Sequence, residues 1–221
     1  MARLPSISKY CVVRRPGESA DAKVAELEKI FDSEAIRNNV YPLDPRWAGR
    51  QPRPQGKHFV YYARTGHLFV SLTPAYENHS HTITAWVDIP RDGGDGVLMA
   101  DGGDAGGFSL YIKDGKPAYT YNYFQQRTTT IAAPEPLPPG PAKITLQFAY
   151  DGNGAGKGAT VTLLVNDKPA ATARLPETVR TAFSFEETFD IGEDTASPVG
   201  PYQSPFPFTG TIEHIDLDIG P

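Results

Sequence analysis

Two histidines one residue apart, His79 and His81, are the side chains in this sequence best suited to holding a metal ion. Imidazole nitrogen is a favoured ligand of Zn²⁺ and also serves Mn²⁺. Positions i and i+2 of an extended chain share a face, so both rings can reach one cation. The last alternating segment, Thr209 to Ile219, carries His214, Asp216 and Asp218, again at every second position. Antiparallel pairing of the two segments would bring Asp216 and Asp218 to the imidazoles, with His214 further along. Two histidines, a carboxylate and an open coordination position lower the pKa of bound water, and such a centre hydrolyses phosphate or sulfate esters. The expected metal set is therefore His79, His81, His214, Asp216 and Asp218. The plainer alternative is that Tyr76-Glu-Asn-His-Ser-His81 is a polar surface loop.

Other patterns point to binding or to turns. Tyr119, Tyr121 and Tyr123 alternate and so lie on one strand face, where they can stack sugar rings or fill a core. The acidic pairs Asp92/Asp95, Asp101/Asp104 and Glu193/Asp194 can bind a structural Ca²⁺ or simply form Asp-Gly turns. The segment Asp151-Gly-Asn-Gly-Ala-Gly-Lys157-Gly158 is not a phosphate loop, because no Ser or Thr follows the lysine and strands flank it. It is expected to be a flexible hairpin loop. Glu186-Glu187-Thr-Phe-Asp190 and Glu213-His-Ile-Asp216 lack the carboxylate spacing of a retaining glucanase.

Composition says what must hold these groups in place. Among 221 residues, glycine and proline number 21 each and Tyr and Phe 11 each, a balance that favours short strands and tight turns. The net charge of −5 comes from interspersed charges with no basic stripe, which argues against a nucleic-acid partner. Cys11 is the only cysteine, so neither an internal disulfide nor a cysteine-based zinc site can form. The longest apolar run near the start, Tyr10-Cys-Val-Val13, is too short for a signal peptide or a membrane span, and a cytoplasmic location is expected.

Three segments follow. Residues 1–18 have no periodicity and read as a loose tail. Residues 19–56 hold a helix and a Pro-rich strap. Val24, Leu27, Phe31 and Ala35 recur at helical spacing behind a Ser19 N-cap, and Pro42, Pro45, Pro52 and Pro54 then stiffen a stretch that Trp47 would pin. From 57 to 221 the period is two. Phe59–Tyr62 and Leu68–Val70 suggest a hairpin around Thr65-Gly66, and in Thr82–Ile89 the residues Ile83, Ala85, Val87 and Ile89 oppose Trp86. Further strands fall at 96–100, 108–113, 117–124, 127–132, 143–150, 159–166, 170–174 and 209–219. Turn signals stand at Asp101-Gly102, Asp114-Gly115 and Asn166-Asp167. The expected fold is all-β, an antiparallel two-sheet jelly-roll sandwich with an N-terminal helical arm.

Ordered matches extend this reading. They are Glu26-Leu27 through Phe31-Asp32, Asn39-Val-Tyr-Pro-Leu-Asp44, Ser80-His-Thr-Ile-Thr84, Phe108-Ser-Leu-Tyr111 with Lys113-Asp-Gly-Lys-Pro117, and Tyr121-Asn-Tyr-Phe124. Phe148-Ala-Tyr-Asp-Gly152, Glu187-Thr-Phe-Asp190 with Gly192-Glu-Asp194 and Ser197-Pro198, and Phe206-Pro-Phe-Thr-Gly-Thr-Ile212 continue the series. In these the chain from about residue 20 to 220 resembles the C-terminal region of large bacterial arylsulfatases. The resemblance implies a concanavalin-A-like (laminin-G-like) jelly roll, preceded by the helix that joins it to a catalytic domain. Sulfatases make formylglycine within Cys/Ser-x-Pro-x-Arg. Cys11 is followed by Val-Val-Arg-Arg15, no serine fits, and none of the family's catalytic residues carries over.

The function expected is a sulfatase-derived accessory module without the parent active site, structural or glycan-binding. The alternative is a small metal-dependent hydrolase of activated phosphate or sulfate esters that uses the His/Asp site. A module parted from its catalytic domain is also expected to form a homodimer or higher homo-oligomer through the helix and strap.

Overall fold

A computed structural model of the chain describes residues 20–37, 53–183 and 187–220. The chain divides into two compact units, Met1–Gln51 and Pro52–Pro221. The tail of residues 1–18, the Ser19 cap, Trp47 and most of the strap lie outside the described residues.

In the first unit, helix α1 spans Ala20–Arg37 and ends on a basic residue that suits the helix dipole. Its i,i+3 pairs Lys23–Glu26 and Glu34–Arg37 are 2.6 and 3.3 Å long. Val24 and Leu27 lie three apart on one stripe, and they are 52% and 41% exposed.

The second unit is two antiparallel sheets. In chain order its strands are β1 (His58–Tyr61), β2 (His81–Ile89), β3 (Gly96–Gly103), β4 (Gly106–Lys113), β5 (Lys116–Tyr123) and β6 (Arg127–Ala132). They continue with β7 (Gly140–Tyr150), β8 (Ala159–Val165), β9 (Lys168–Leu175), β10 (Phe189–Ile191) and β11 (Thr211–Ile219). Six strands in the order β1-β11-β2-β7-β8-β9 face five in the order β10-β3-β4-β5-β6. No helix among the described residues is long and apolar enough to cross a membrane.

Alternation decides what each strand buries. Ile83, Ala85, Val87 and Ile89 of β2 join Ile144, Leu146 and Phe148 of β7 and Ile215 and Leu217 of β11 against Phe108, Leu110, Tyr119 and Tyr121 of the other sheet. Each such side chain contributes about 1.5–3 kcal/mol by leaving water. Strands β3 to β5 of the five-stranded sheet are buried on their second face too. Val97, Ala100, Tyr111 and Ala118 are covered by Tyr202 and Phe206 of the segment before β11. Tyr202 fastens that cover, its hydroxyl lying 2.8 Å from Ser109 Oγ and 2.6 Å from Asp194 Oδ2. Strands β3 to β5 therefore read as nearly continuous apolar or small-residue runs.

Three local expectations are corrected. The segment 59–70 is not a hairpin, because β1 pairs with β11 and Leu68 only bridges to Phe189. Asp101-Gly102 is not a turn but part of β3, and Asp104-Ala105 makes the reversal. The glycine-rich loop after β7 is tied rather than loose. The Tyr150 hydroxyl donates to Gly154 O at 2.5 Å and accepts from Lys157 N at 2.9 Å. Arg53, at the strap's end, is tied down at the segment before β2. It donates to both Glu77 oxygens at 2.8 and 2.9 Å and to the carbonyls of Thr73 and Pro74.

Candidate functional site

The five residues of the expected metal set do not share one centre. Strand β2 begins at His81, so His79 lies in the preceding turn, after Asn78 at φ 63°. His81 has the parity of Ile83 and Ala85 and points inward. It is 7% exposed, stacked on Phe148 at 4.5 Å, and its Nδ1 lies 3.0 Å from the His79 carbonyl. Burial pushes this imidazole down to about 4, against the upward pull of that carbonyl. Across the strand pair Asp218 faces Thr82 and Asp216 faces Thr84, on the opposite side of the sheet from His81. Among the described residues no group of three or more His, Cys, Asp or Glu side chains is arranged to hold a metal ion.

The tyrosine row is core rather than platform. Tyr119 and Tyr121 are 1% and 4% exposed, and the Tyr121 hydroxyl accepts from Val179 N at 2.8 Å. Tyr123 is half-buried at the rim beside Phe124. Of the acidic loops, Asp95, Asp101, Asp104 and Asp194 are engaged separately. Asp95 accepts from Gly115 N at 2.9 Å, the Tyr76 hydroxyl donates to Asp101, and Asp104 lies 3.1 Å from Ser197 Oγ.

What the structure does bring together is the outer face of the six-stranded sheet. A β-bulge at Glu213 makes this possible. Before it Ile212 points inward, and after it Ile215 and Leu217 do, so the extra residue turns His214 outward opposite Trp86. The Trp86 ring stacks on His214 at 5.9 Å, and Lys143 Nζ of β7 lies 5.2 Å from its centroid. The indole N–H donates to Asp216 Oδ2 at 3.1 Å. His58 of β1, which sequence reasoning missed, completes the border: its Nδ1 is 2.7 Å from Asp218 Oδ1 and its Nε2 3.9 Å from Asp216 Oδ1. The signal was present, since Phe59 and Tyr61 pack inward and leave His58 outward.

Register lays these groups out in rows across the sheet. His214, Trp86 and Lys143 form one row, and Asp218, Thr82, Gln147, Thr162 and Thr172 another. At about 3.4 Å per residue the two rows stand about 14 Å apart. Between them lie Asp216, Thr84 and Thr145. Thr84 and Thr145 are short and sit low, at 9% and 6% exposure, and together the rows shape a shallow trough. Thr145 Oγ1 is the one buried side-chain polar atom without a hydrogen-bond partner among the described residues. Beside the second row, Ser80, Thr82, Gln147 and Asp218 help line a depression of about 390 Å³. The face thus offers an aromatic ring, two carboxylates, two imidazoles, an amine, an amide and hydroxyls. That set suits a polyhydroxylated ligand.

No protein-family model matches the chain, and a search of the curated proteins found no match. Solved structures do match in shape. An IT-sialidase CBM40 from Ruminococcus gnavus, bound to α2,6-sialyllactose, aligns with a TM-score of 0.51 at 16% identity, covering 76% of this chain and 94% of that one. The leech intramolecular trans-sialidase complexed with 2,7-anhydro-Neu5Ac aligns at 0.50 and 13% identity, over 74% of this chain and 25% of that one. The mouse laminin α1 chain, domains LG4-5, gives 0.45 at 10% identity over 75% of this chain and 40% of that one. With its two antiparallel sheets and their strand order, the second unit is a jelly roll of the concanavalin-A/laminin-G kind.

Proposed function

We propose that the chain is a glycan-binding accessory β-sandwich that takes a saccharide along the trough beside Trp86. The observation that carries this reading is the half-open indole, fixed by Asp216 and bordered by hydrogen-bonding side chains over a low threonine floor. A sugar ring stacks on an aromatic face through its C–H groups while its hydroxyls pair with carboxylates and amides. Lys143 lies over one face of the indole but is held only by a cation–π contact and a 2.7 Å ion pair to exposed Asp167. Such surface contacts are each worth about 0.5–1 kcal/mol, so a ligand can displace the amine. The fold supports the reading, since the R. gnavus neighbour carries a saccharide.

The finer part of the proposal is that the module is sulfatase-derived, which rests on the ordered matches from Glu26-Leu27 to Phe206-Pro-Phe-Thr-Gly-Thr-Ile212. Self-association through the exposed stripe of α1 belongs to it as well. The test is affinity electrophoresis in gels containing soluble polysaccharides, followed by titration with oligosaccharides of any that retard the protein. Trp86→Ala should weaken the interaction about tenfold, on the order of 1.4 kcal/mol, with the fold intact. Retardation by no polysaccharide, or equal retardation of both proteins, defeats the proposal.

A further inference from the structure

Beside Thr211, where the two sheets meet at the edge of the sandwich, lies a cleft of about 520 Å³, lined among others by Arg64, Ile191, Gly192, Glu193, Phe208 and Thr211. Its backbone is fixed from several sides. Ile191 N donates to Thr65 O at 2.7 Å, Gly192 N to Leu98 O at 3.0 Å, and Phe208 N to Gly192 O at 2.8 Å. Arg64 is held at φ 68°, a left-handed conformation disfavoured for a residue with a β-carbon.

Arg64 and Glu193 both line this cleft, and neither side chain makes a hydrogen bond or ion pair with any of the described residues. Thr211 points outward, as the inward parity of Ile212 requires, and pairs with Asp88, two residues from Trp86. At about 3.4 Å per residue that places the Thr211 rim of the cleft about 7 Å along β2 from the indole row, within the span of an oligosaccharide laid on Trp86.

From this juxtaposition we infer that the cleft is the subsite for a singly charged acidic group of the bound saccharide, a carboxylate or a sulfate ester; the inference rests on the glycan reading above. The planar guanidinium matches two oxygens of such a group in a bidentate contact. Glu193 accepts from neighbouring sugar hydroxyls and repels a second negative charge, which disfavours a doubly charged phosphate monoester. Phe208 supplies an apolar wall for the ring that bears the acid.

The experiment is calorimetric titration with three oligosaccharide sets: neutral galactosides, their galacturonate counterparts and sulfated galactosides. Each is run with the wild type, Arg64→Asn, Arg64→Lys, Glu193→Gln and Trp86→Ala. Asparagine tolerates the left-handed backbone, so Arg64→Asn removes charge without adding strain. Arg64→Asn should lose about tenfold in affinity for the acidic sets and nothing for the neutral one, and lysine should restore part of that loss. Glu193→Gln should tighten acidic binding. Whichever acidic set responds identifies the group as carboxylate or sulfate. If Trp86→Ala weakens acidic binding while Arg64→Asn leaves it unchanged, the subsite is overturned and the glycan reading stands. If no set binds the wild type, the subsite falls, and the affinity electrophoresis above decides the glycan reading.

Discussion

Replacing Asp101 by asparagine should remove a stabilising contribution that grows with acid between about pH 7 and about pH 4 and leave the opposite contribution of His81 unopposed by it. The cause is a pair of buried groups on either side of Tyr76, whose hydroxyl donates to Asp101 and whose ring edge meets His81 at 5.4 Å. Burial raises the Asp101 carboxyl from 3.8 to about 7, with Glu77 and Asp190 adding repulsion and Tyr76 and Arg53 opposing. Between those values the folded chain keeps a proton that the unfolded chain releases. Its contribution is fully present below the unfolded value and is lost as pH rises through about 7. His81 does the reverse. Burial lowers its imidazole from 6.5 to about 4, so its contribution is present above 6.5 and lost as pH falls through about 4. At about 1.4 kcal/mol for each tenfold change in proton affinity, the two amount to about 4 and about 3 kcal/mol of opposite sign in overlapping windows. The asparagine side chain would keep an acceptor for Tyr76 and cancel only the first, and His81→Phe, which preserves the stack on Phe148, cancels only the second. Urea unfolding followed by tryptophan fluorescence across this window should show Asp101→Asn losing about 3 kcal/mol toward acid and His81→Phe gaining about 4. Profiles of both variants parallel to the wild type would refute the reasoning.

Arg53→Met should cost about 3 kcal/mol in the same assay, because it strands the Glu77 carboxylate, only 4% exposed, without its bidentate partner. Tyr150→Phe should release the loop of residues 151–158. Faster tryptic cleavage after Lys157, with at most about 2 kcal/mol lost globally, is the expected result. Val24→Glu with Leu27→Glu should lower the mass seen by light scattering to that of one chain if α1 mediates self-association, and an unchanged mass would exclude the helix.

The two-sheet architecture and the antiparallel neighbourhood of β2 and β11 were legible because period-two alternation survives in both strands. The inward turn of His81 was legible too. It shares parity with Ile83, Ala85, Val87 and Ile89, and the expectation that it faced a metal ran against its own strand's pattern. The bulge was hidden, because Ile212, Ile215 and Leu217 step by three and then by two, a rhythm that local sequence does not distinguish from an irregular strand end. Strand β10 is three residues long, too short for any period to show, and β1 finds its partner more than 150 residues later, where no local signal points. Trp86 was recognised as outward-facing, but its border of His58, His214 and Lys143 comes from three other strands and exists only once register is set.

The cover that Tyr202 and Phe206 lay over the five-stranded sheet has a consequence for valency. With β3 to β5 sealed on both sides, the described residues of the second unit leave one broad sheet face, the outer face of the six-stranded sheet. On the glycan reading proposed above, one such domain would coat a glycan-bearing particle without agglutinating it, and agglutination would report domains paired through self-association.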